Sequence, residues 1–422
     1  MIFYLYPDIF NLTMKKREKN IPVMEGTPWY KGNSFKCLKN GNNFFPAMLK
    51  SIKGAEKYVL MEMYIFESGH VATSFIDALC KAAKRGVFVY LLLDDFGSWN
   101  LNSKDRKRLA ENGVFLIFYN PLRYGKWLAN LRRNHRKLLL IDNLIAYTGG
   151  AGVTDDFSPL HQPSDFWLDT MVEISGPVVS DWQSSFQSIW NQWGEPFINL
   201  PIGNHSIEAA DMEGRVALLL PPHRRDIIRS LLKRIRKSRK RIWIEMAYFI
   251  PSWKIRRALR KAARAGVDVR LLLPGKQTDH PSVRRISQRY YQSLLRNGVR
   301  IFEYAPRFLH SKVMLCDDWI SIGSSNLDKW SLRWNLEANQ EVIDSHFAED
   351  MARMFLADLE ESREIEYINW LKRPWYVRFI ENFWEAIMIW TEYLIQLRTI
   401  RLLSSPRKGI RSLFRRSKKK SH

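Results

Sequence analysis

The sequence predicts an α/β fold of two tandem α/β repeats, with mostly parallel sheets and a pseudo-twofold relation that leaves one active site shared between them. Three observations carry this expectation. Three sequence blocks occur twice in the same order, each copy alternates apolar β-rich runs with helical segments, and each copy leads into the same His-x-Lys-x4-Asp spacing.

The repeat is read directly from the chain. VLMEMYIF (Val59 to Phe66), ALCKAAKRGVFVYLLLDD (Ala78 to Asp95) and NGVFLIFYNP (Asn112 to Pro121) make up the first copy. IWIEMAYFI (Ile242 to Ile250), ALRKAARAGVDVRLLLPG (Ala258 to Gly275) and NGVRIFEYAP (Asn297 to Pro306) make up the second. One unit has been duplicated. The first block of each copy is short, apolar and rich in β-formers, as a strand requires. Ala, Leu, Lys and Arg then dominate from Ala78 to Arg85 and from Ala258 to Arg264, which favours helix. Gly86 and Gly266 stand where a helix ends, and the runs VFVYLLL and VDVRLLL read as buried strands.

The predicted boundaries are an N-terminal extension over 1–25, a first half over 26–200, a linker over 201–214, a second half over 215–360, and an aromatic, basic tail over 361–422. The first half carries an additional segment, Leu122 to Arg133, read as a basic, aromatic loop or short helix beside the site, or as a solvated surface loop.

The 422 residues suffice for two domains or two fused halves, and 46% hydrophobic residues allow a sizeable core. With 66 Lys and Arg against 43 Asp and Glu, the formal charge is +23, so a polyanion is the expected partner: nucleic acid or an anionic membrane. Cys37, Cys80 and Cys316 are scattered, which argues against a disulfide framework or structural zinc and suits a reducing compartment. No stretch reaches the roughly 20 apolar residues of a membrane span, so membrane contact is expected to be peripheral.

His135, Lys137 and Asp142 lie in HRKLLLID; His310, Lys312 and Asp317 lie in HSKVMLCD. One chance match in a chain of this length has a probability on the order of a few per cent, and two after the same repeated blocks are far rarer. The apolar residues after each Lys read as a strand, so His and Lys two apart share a face. An imidazole then sits beside a cation suited to a phosphate oxygen. The Asp falls beyond the strand in a turn, which gives it a structural or charge-balancing part. The second motif runs into GSSN, Gly323 to Asn326, where Ser324 and Asn326 offer donors to a phosphoryl group. The first runs into GGAG, where Gly152 takes the place of that Asn, so the half-sites are unequal. A carboxylate follows each motif, and catalytic imidazoles need a partner on their second nitrogen. Asp169 is assigned to His135 and Glu337 to His310 on this basis.

With GSSNLDKWSLRWNLEAN, GNSFKCLKNGNNFFPAMLKSI, LLLDDFGS and RRNHRKLLLID, the paired motifs resemble the phospholipase D superfamily, and within it the bacterial cardiolipin synthases, most of all the B type. The resemblance covers roughly residues 26 to 360 and departs at Gly152 and in the tail. It implies a two-step transfer in which one His attacks phosphorus while the other protonates the leaving alkoxide and then activates the incoming alcohol. It implies that Lys137, Lys312, Ser324 and Asn326 hold the nonbridging oxygens, with His135 as nucleophile and His310 as acid in opposite protonation states. No cofactor or metal is implied. The implied substrate is phosphatidylglycerol, or phosphatidylglycerol with phosphatidylethanolamine, on an anionic membrane, peripherally at the cytoplasmic face. No nucleic acid is expected, though a hydrolase or nuclease of the same superfamily is the alternative.

Trp370, Trp375, Trp384 and Trp390, with Tyr376, Phe379, Phe383 and Tyr393, are candidate interfacial anchors, followed from Arg398 to Lys420 by ten Lys or Arg and no acid. The alternative is that these aromatics complete the core.

Overall fold

Each half builds its sheet from the same order of elements. The computed structural model describes residues 27–124, 127–201, 210–221 and 224–374, together with Phe383. In the first half the strands are β1 (Tyr30–Lys39), β2 (Tyr58–Met63), β3 (Phe88–Asp94), β4 (Phe115–Tyr119), the two-residue β5 (Arg133–Asn134), β6 (Leu138–Ile141), β7 (Ile145–Gly149) and β8 (Thr170–Ser175). In the second they are β9 (Met212–Leu220), β10 (Arg224–Arg225), β11 (Arg241–Met246), β12 (Asp268–Pro274), β13 (Arg300–Tyr304), β14 (Lys312–Cys316), β15 (Trp319–Gly323), β16 (Asn335–Ile343) and β17 (Ser362–Glu364).

The repeated blocks build parallel trios, β2–β3–β4 and β11–β12–β13, through helical crossovers His70–Lys84 and Trp253–Arg264. Gly86 and Gly266 follow these helices with φ of +93° and +86°, a conformation that β-carbon sterics disfavour in other residues. The sheets are mixed rather than mostly parallel. β6 lies antiparallel to β2, and β6, β7 and β8 continue as an antiparallel meander; β14, β15 and β16 do the same beside β11. The cause is local: tight turns at Asp142–Asn143 and Asp317, with positive φ, reverse the chain directly after each motif strand.

β1 pairs with both β8 and β9 and so ties the halves together. Alternation along the strands serves two cores. Leu60, Leu138 and Leu140 meet Val313, Leu315 and Ile320 of the other half in a shared core with Trp182 and Phe347. Val59, Met61 and Leu139 face helices Gly41–Lys53 and His70–Lys84 in a separate outer core.

Two expected boundaries move. β9 already begins at Met212, within the span read as linker. β17 pairs with β13, and Trp370 of the short helix Tyr367–Leu371 is buried with its ring 4.9 Å from that of Tyr291. Trp370 therefore completes the second half's core instead of anchoring at an interface, because its ring finds an apolar partner within the fold. Phe383 is exposed. Trp375, Tyr376, Phe379, Trp384, Trp390, Tyr393 and the basic tail lie outside the described residues. Among the described residues, no helix is long and apolar enough to cross a membrane.

Candidate active site

His135 and His310 line one cavity of about 880 Å³ at the carboxyl ends of the parallel strands, with Tyr64 following β2 and Tyr248 following β11. The two motifs, 175 positions apart, therefore serve a single site. The segment Leu122 to Arg133 contributes Leu122, Asn130, Leu131 and Arg133 to the same wall.

Each imidazole is held by the opposite half. The His135 N–H donates to the Leu336 carbonyl (3.0 Å), where β5 runs parallel to the start of β16, and its Nδ1 lies 3.0 Å from Glu337 Oε2. The His310 N–H donates to the Leu168 carbonyl (2.8 Å), and its Nδ1 lies 2.6 Å from Asp169 Oδ2. The expected partners are thus exchanged: Glu337 serves His135, and Asp169 serves His310. The assignment by nearness in sequence fails because each carboxylate strand opens beside the other half's motif.

Lys137 and Lys312 are buried behind their histidines. Lys137 Nζ donates to the His135 carbonyl (2.7 Å). Lys312 Nζ donates to the His310 carbonyl and lies 3.2 Å from His310 Nε2. Burial lowers the pKa of both lysines, that of Lys137 to about 7. Burial also lowers both histidines; for His310, with Lys312 adding to the effect, the value falls to about 4. For Asp169, burial acts upward, but Lys312 and the hydrogen bond from His310 outweigh it and hold the carboxyl below its ordinary value. A neutral His310 thus donates its Nδ1 proton to an ionised Asp169, leaving a lone pair on Nε2. Burial thus acts against the protonated form of both imidazoles.

The remaining sequence-selected residues separate. Asn326 lines the cavity. Ser324 does not: its hydroxyl donates to Glu337 Oε2 and accepts from the Ala338 N–H (3.1 Å), which makes it a support for the Glu337 carboxylate. A Cβ on Gly152 would stand 2.8 Å from Ile65 Cβ, so the place matching Asn326 has no room for a side chain. A Cβ on Gly150 would stand 2.5 Å from both Asp169 oxygens, so glycine there lets Asp169 approach.

Asp142 and Asp317 lie away from the cavity. Asp142 accepts the backbone N–H groups of Glu56, Lys57 and Tyr58 at 2.7–2.9 Å, and Asp317 those of Arg239, Lys240 and Arg241 at 2.9–3.0 Å. They pin the amino ends of β2 and β11, about 20 Å along the strand from the residues that enter the site. Their grouping with the catalytic residues is corrected on this geometry; the structural reading of the turn aspartates agrees with it.

Two carboxylates missed in the sequence position the first motif. Asp94 Oδ2 accepts the Asn134 N–H (2.8 Å) and Oδ1 lies 3.3 Å from Arg133; burial raises its pKa to about 6. Glu62 pairs with buried Arg136 at 2.9 Å and accepts from Asn134. An acid within the apolar run VLMEMYIF was the available signal for Glu62.

The family model for cardiolipin synthase, PLD-like domain, matches residues 48–190 and 231–359. This chain belongs to the PLD-like cardiolipin synthase family. Cardiolipin synthase B of Escherichia coli K12 is 35% identical over 337 residues, 76% of this chain and 78% of that protein. Cardiolipin synthase 2 of Bacillus cereus is 35% identical over 353 residues, 82% of this chain and 68% of that protein. Among solved structures, phosphatidylserine synthase of Haemophilus influenzae Rd KW20 superposes with a TM-score of 0.66 at 13% identity, covering 89% of this chain and 98% of that one, which shows the shared fold. As a member of this family the chain is a phosphatidyltransferase-type enzyme of the phospholipase D superfamily.

Proposed function

We propose that the chain joins two phosphatidylglycerol molecules into cardiolipin and glycerol through a phosphohistidine intermediate. The observation that carries this reading is the convergence of two histidines on one cavity, each held by a carboxylate with a buried lysine beside it.

His135 Nε2 attacks phosphorus as the bond from phosphorus to the glycerol oxygen breaks, and His310 gives that oxygen its proton. The hydroxyl of a second phosphatidylglycerol then passes its proton to His310 and attacks phosphorus, breaking the P–N bond and restoring His135. Lys137, Lys312 and Asn326 hold the nonbridging oxygens. The diester's negative charge opposes the desolvation of the imidazoles, so its arrival supports the proton on His310. Glu337 and Asp169 hold the tautomers that leave Nε2 toward phosphorus.

Transfer over hydrolysis requires a lipid acceptor and little water. The exposed Phe96, Leu122 and Trp330 at the cavity mouth suit peripheral docking on an anionic bilayer at the cytoplasmic face. Phosphatidylethanolamine can replace the first lipid as phosphatidyl donor, with ethanolamine leaving in place of glycerol.

Incubation of the purified protein with labelled phosphatidylglycerol vesicles tests the reading. Cardiolipin with glycerol is expected, and His135→Ala and His310→Ala should each abolish it. Phosphatidic acid as the sole product would make the chain a hydrolase.

A further inference from the structure

The loop between β15 and β16, with the first residue of β16, leaves three buried oxygens without hydrogen-bond partners: Asn326 Oδ1, Asp328 Oδ2 and Asn335 Oδ1. All three residues line the cavity and are at least nine-tenths buried. Their other atoms are engaged. Asp328 Oδ1 accepts the Ser331 N–H (2.8 Å), and Asn335 Nδ2 donates to Glu337 Oε1 (3.3 Å). Buried acceptors left unpaired are costly, which points to a ligand that completes them.

The first half offers no such group at the matching place. The bridges Phe66–Val153 and Phe249–Leu327 align Thr154 with Asp328. Thr154 Oγ1 donates to Glu67 Oε2 (3.1 Å), and Asn100 donates to Glu67 Oε1 (2.8 Å), so those oxygens are already paired. The unmet acceptors therefore belong to one side of the cavity.

We propose that Asp328 and Asn335 form a headgroup subsite that accepts hydrogen bonds from the two free hydroxyls of a glycerol headgroup; the proposal rests on the phosphodiester-transfer reading of the cavity. Oxygen acceptors repel a phosphate, so the ligand group is the non-phosphate end of the headgroup. The burial that lowers the pKa of Lys137 and Lys312 acts against a further ammonium beside them in the same way, which favours a neutral diol. Asp328 is thereby a specificity-determining residue, and the pseudo-symmetric site distinguishes its two lipids by this one loop.

The test uses soluble headgroups and the full chain, with dissociation constants from saturation-transfer NMR, which needs no turnover. Methyl phosphoglycerol, whose free hydroxyls are those of the glycerol headgroup alone, should bind the wild-type protein about tenfold tighter than methyl phosphopropanol, which lacks both. Asp328→Asn, checked for folding by its melting curve, should reduce that preference to about threefold or less. Equal binding of the two compounds to the wild-type protein overturns the proposal whether or not the variant folds. An unchanged preference in a folded Asp328→Asn protein does the same, as does tighter binding of methyl phosphoethanolamine than of the diol. Preference for the diol without cardiolipin formation from vesicles would leave the subsite standing and refute the transferase reading instead.

Discussion

Asp169→Asn should slow turnover through His310, the histidine of the other half. The Asp169 carboxylate accepts from His310 Nδ1 at 2.6 Å in a fully buried setting, a charge-assisted bond worth about 1.5–3 kcal/mol. At about 1.4 kcal/mol per decade, its loss lowers kcat/KM about 10- to 150-fold. The direction of the pKa change follows from the same contact. Asp169 raises the His310 pKa against burial and Lys312, so removing its charge carries His310 below about 4 and makes the imidazolium harder to form. The assay pairs cardiolipin formation from labelled phosphatidylglycerol with 15N NMR of histidine-labelled protein. His310 Nδ1 should lose its downfield, carboxylate-bonded proton in Asp169→Asn, while His135 keeps its own; Glu337→Gln should show the converse. A change confined to His135 in Asp169→Asn, or kcat/KM within about twofold of wild type, refutes the exchanged pairing.

Three further outcomes follow from residues around the site. Asp142→Ala removes three backbone N–H acceptors at the far end of β2, so the melting temperature should fall, by about 1–3 kcal/mol in stability, while folded protein keeps kcat/KM within about threefold; a selective loss of turnover would return Asp142 to the chemistry. Burial, and then the charge of Asp358, raises Glu245 to about 8, so the folded state holds a proton that the unfolded chain releases above its ordinary value of 4.5. Stability therefore declines between pH 4.5 and 8, and Glu245→Gln, which cannot ionise, should flatten that part of the melting-temperature profile; a profile parallel to wild type counts against it. Phe96→Ala and Trp330→Ala should each weaken binding to anionic vesicles about three- to tenfold, by loss of apolar area at the mouth, and equal vesicle affinity would place the docking face elsewhere.

Local rules made much of this molecule legible. The apolar runs, the Ala- and Lys-rich helices and the glycines at 86 and 266 act through neighbouring residues, and each element forms where its own composition requires. His135 and His310 were identified by a spacing that a strand makes meaningful, and the duplication brought them together. Partnership was not legible. Asp169 and Glu337 are legible as candidate carboxylates, but not which ring each serves, since chain proximity says nothing about which sheet edge opens beside which motif. The Ser324 hydroxyl is chemically suited to a phosphate; its orientation toward Glu337 is set by β16, 13 positions on. Trp370 illustrates the same limit: its composition fits a membrane interface or a core, and only Tyr291 beside it decides.

The exchange of carboxylates bears on why the repeat is kept in one chain. Were each histidine oriented within its own half, either unit alone would present a tautomer-fixed imidazole beside its lysine. Here His135 depends on Leu336 and Glu337, and His310 on Leu168 and Asp169, so neither half alone holds an oriented histidine. The interface between the halves is thus the device that orders the imidazoles, and its shared core supplies the rigidity that fixed tautomers require. Mutual dependence leaves the loops free to diverge. Gly152 cannot carry the amide that Asn326 provides, and Thr154 stands where the second half has Asp328. Symmetry in the groups that act on phosphorus, with asymmetry in the groups around it, suits a reaction that treats one phosphorus atom in two successive attacks while telling two substrates apart.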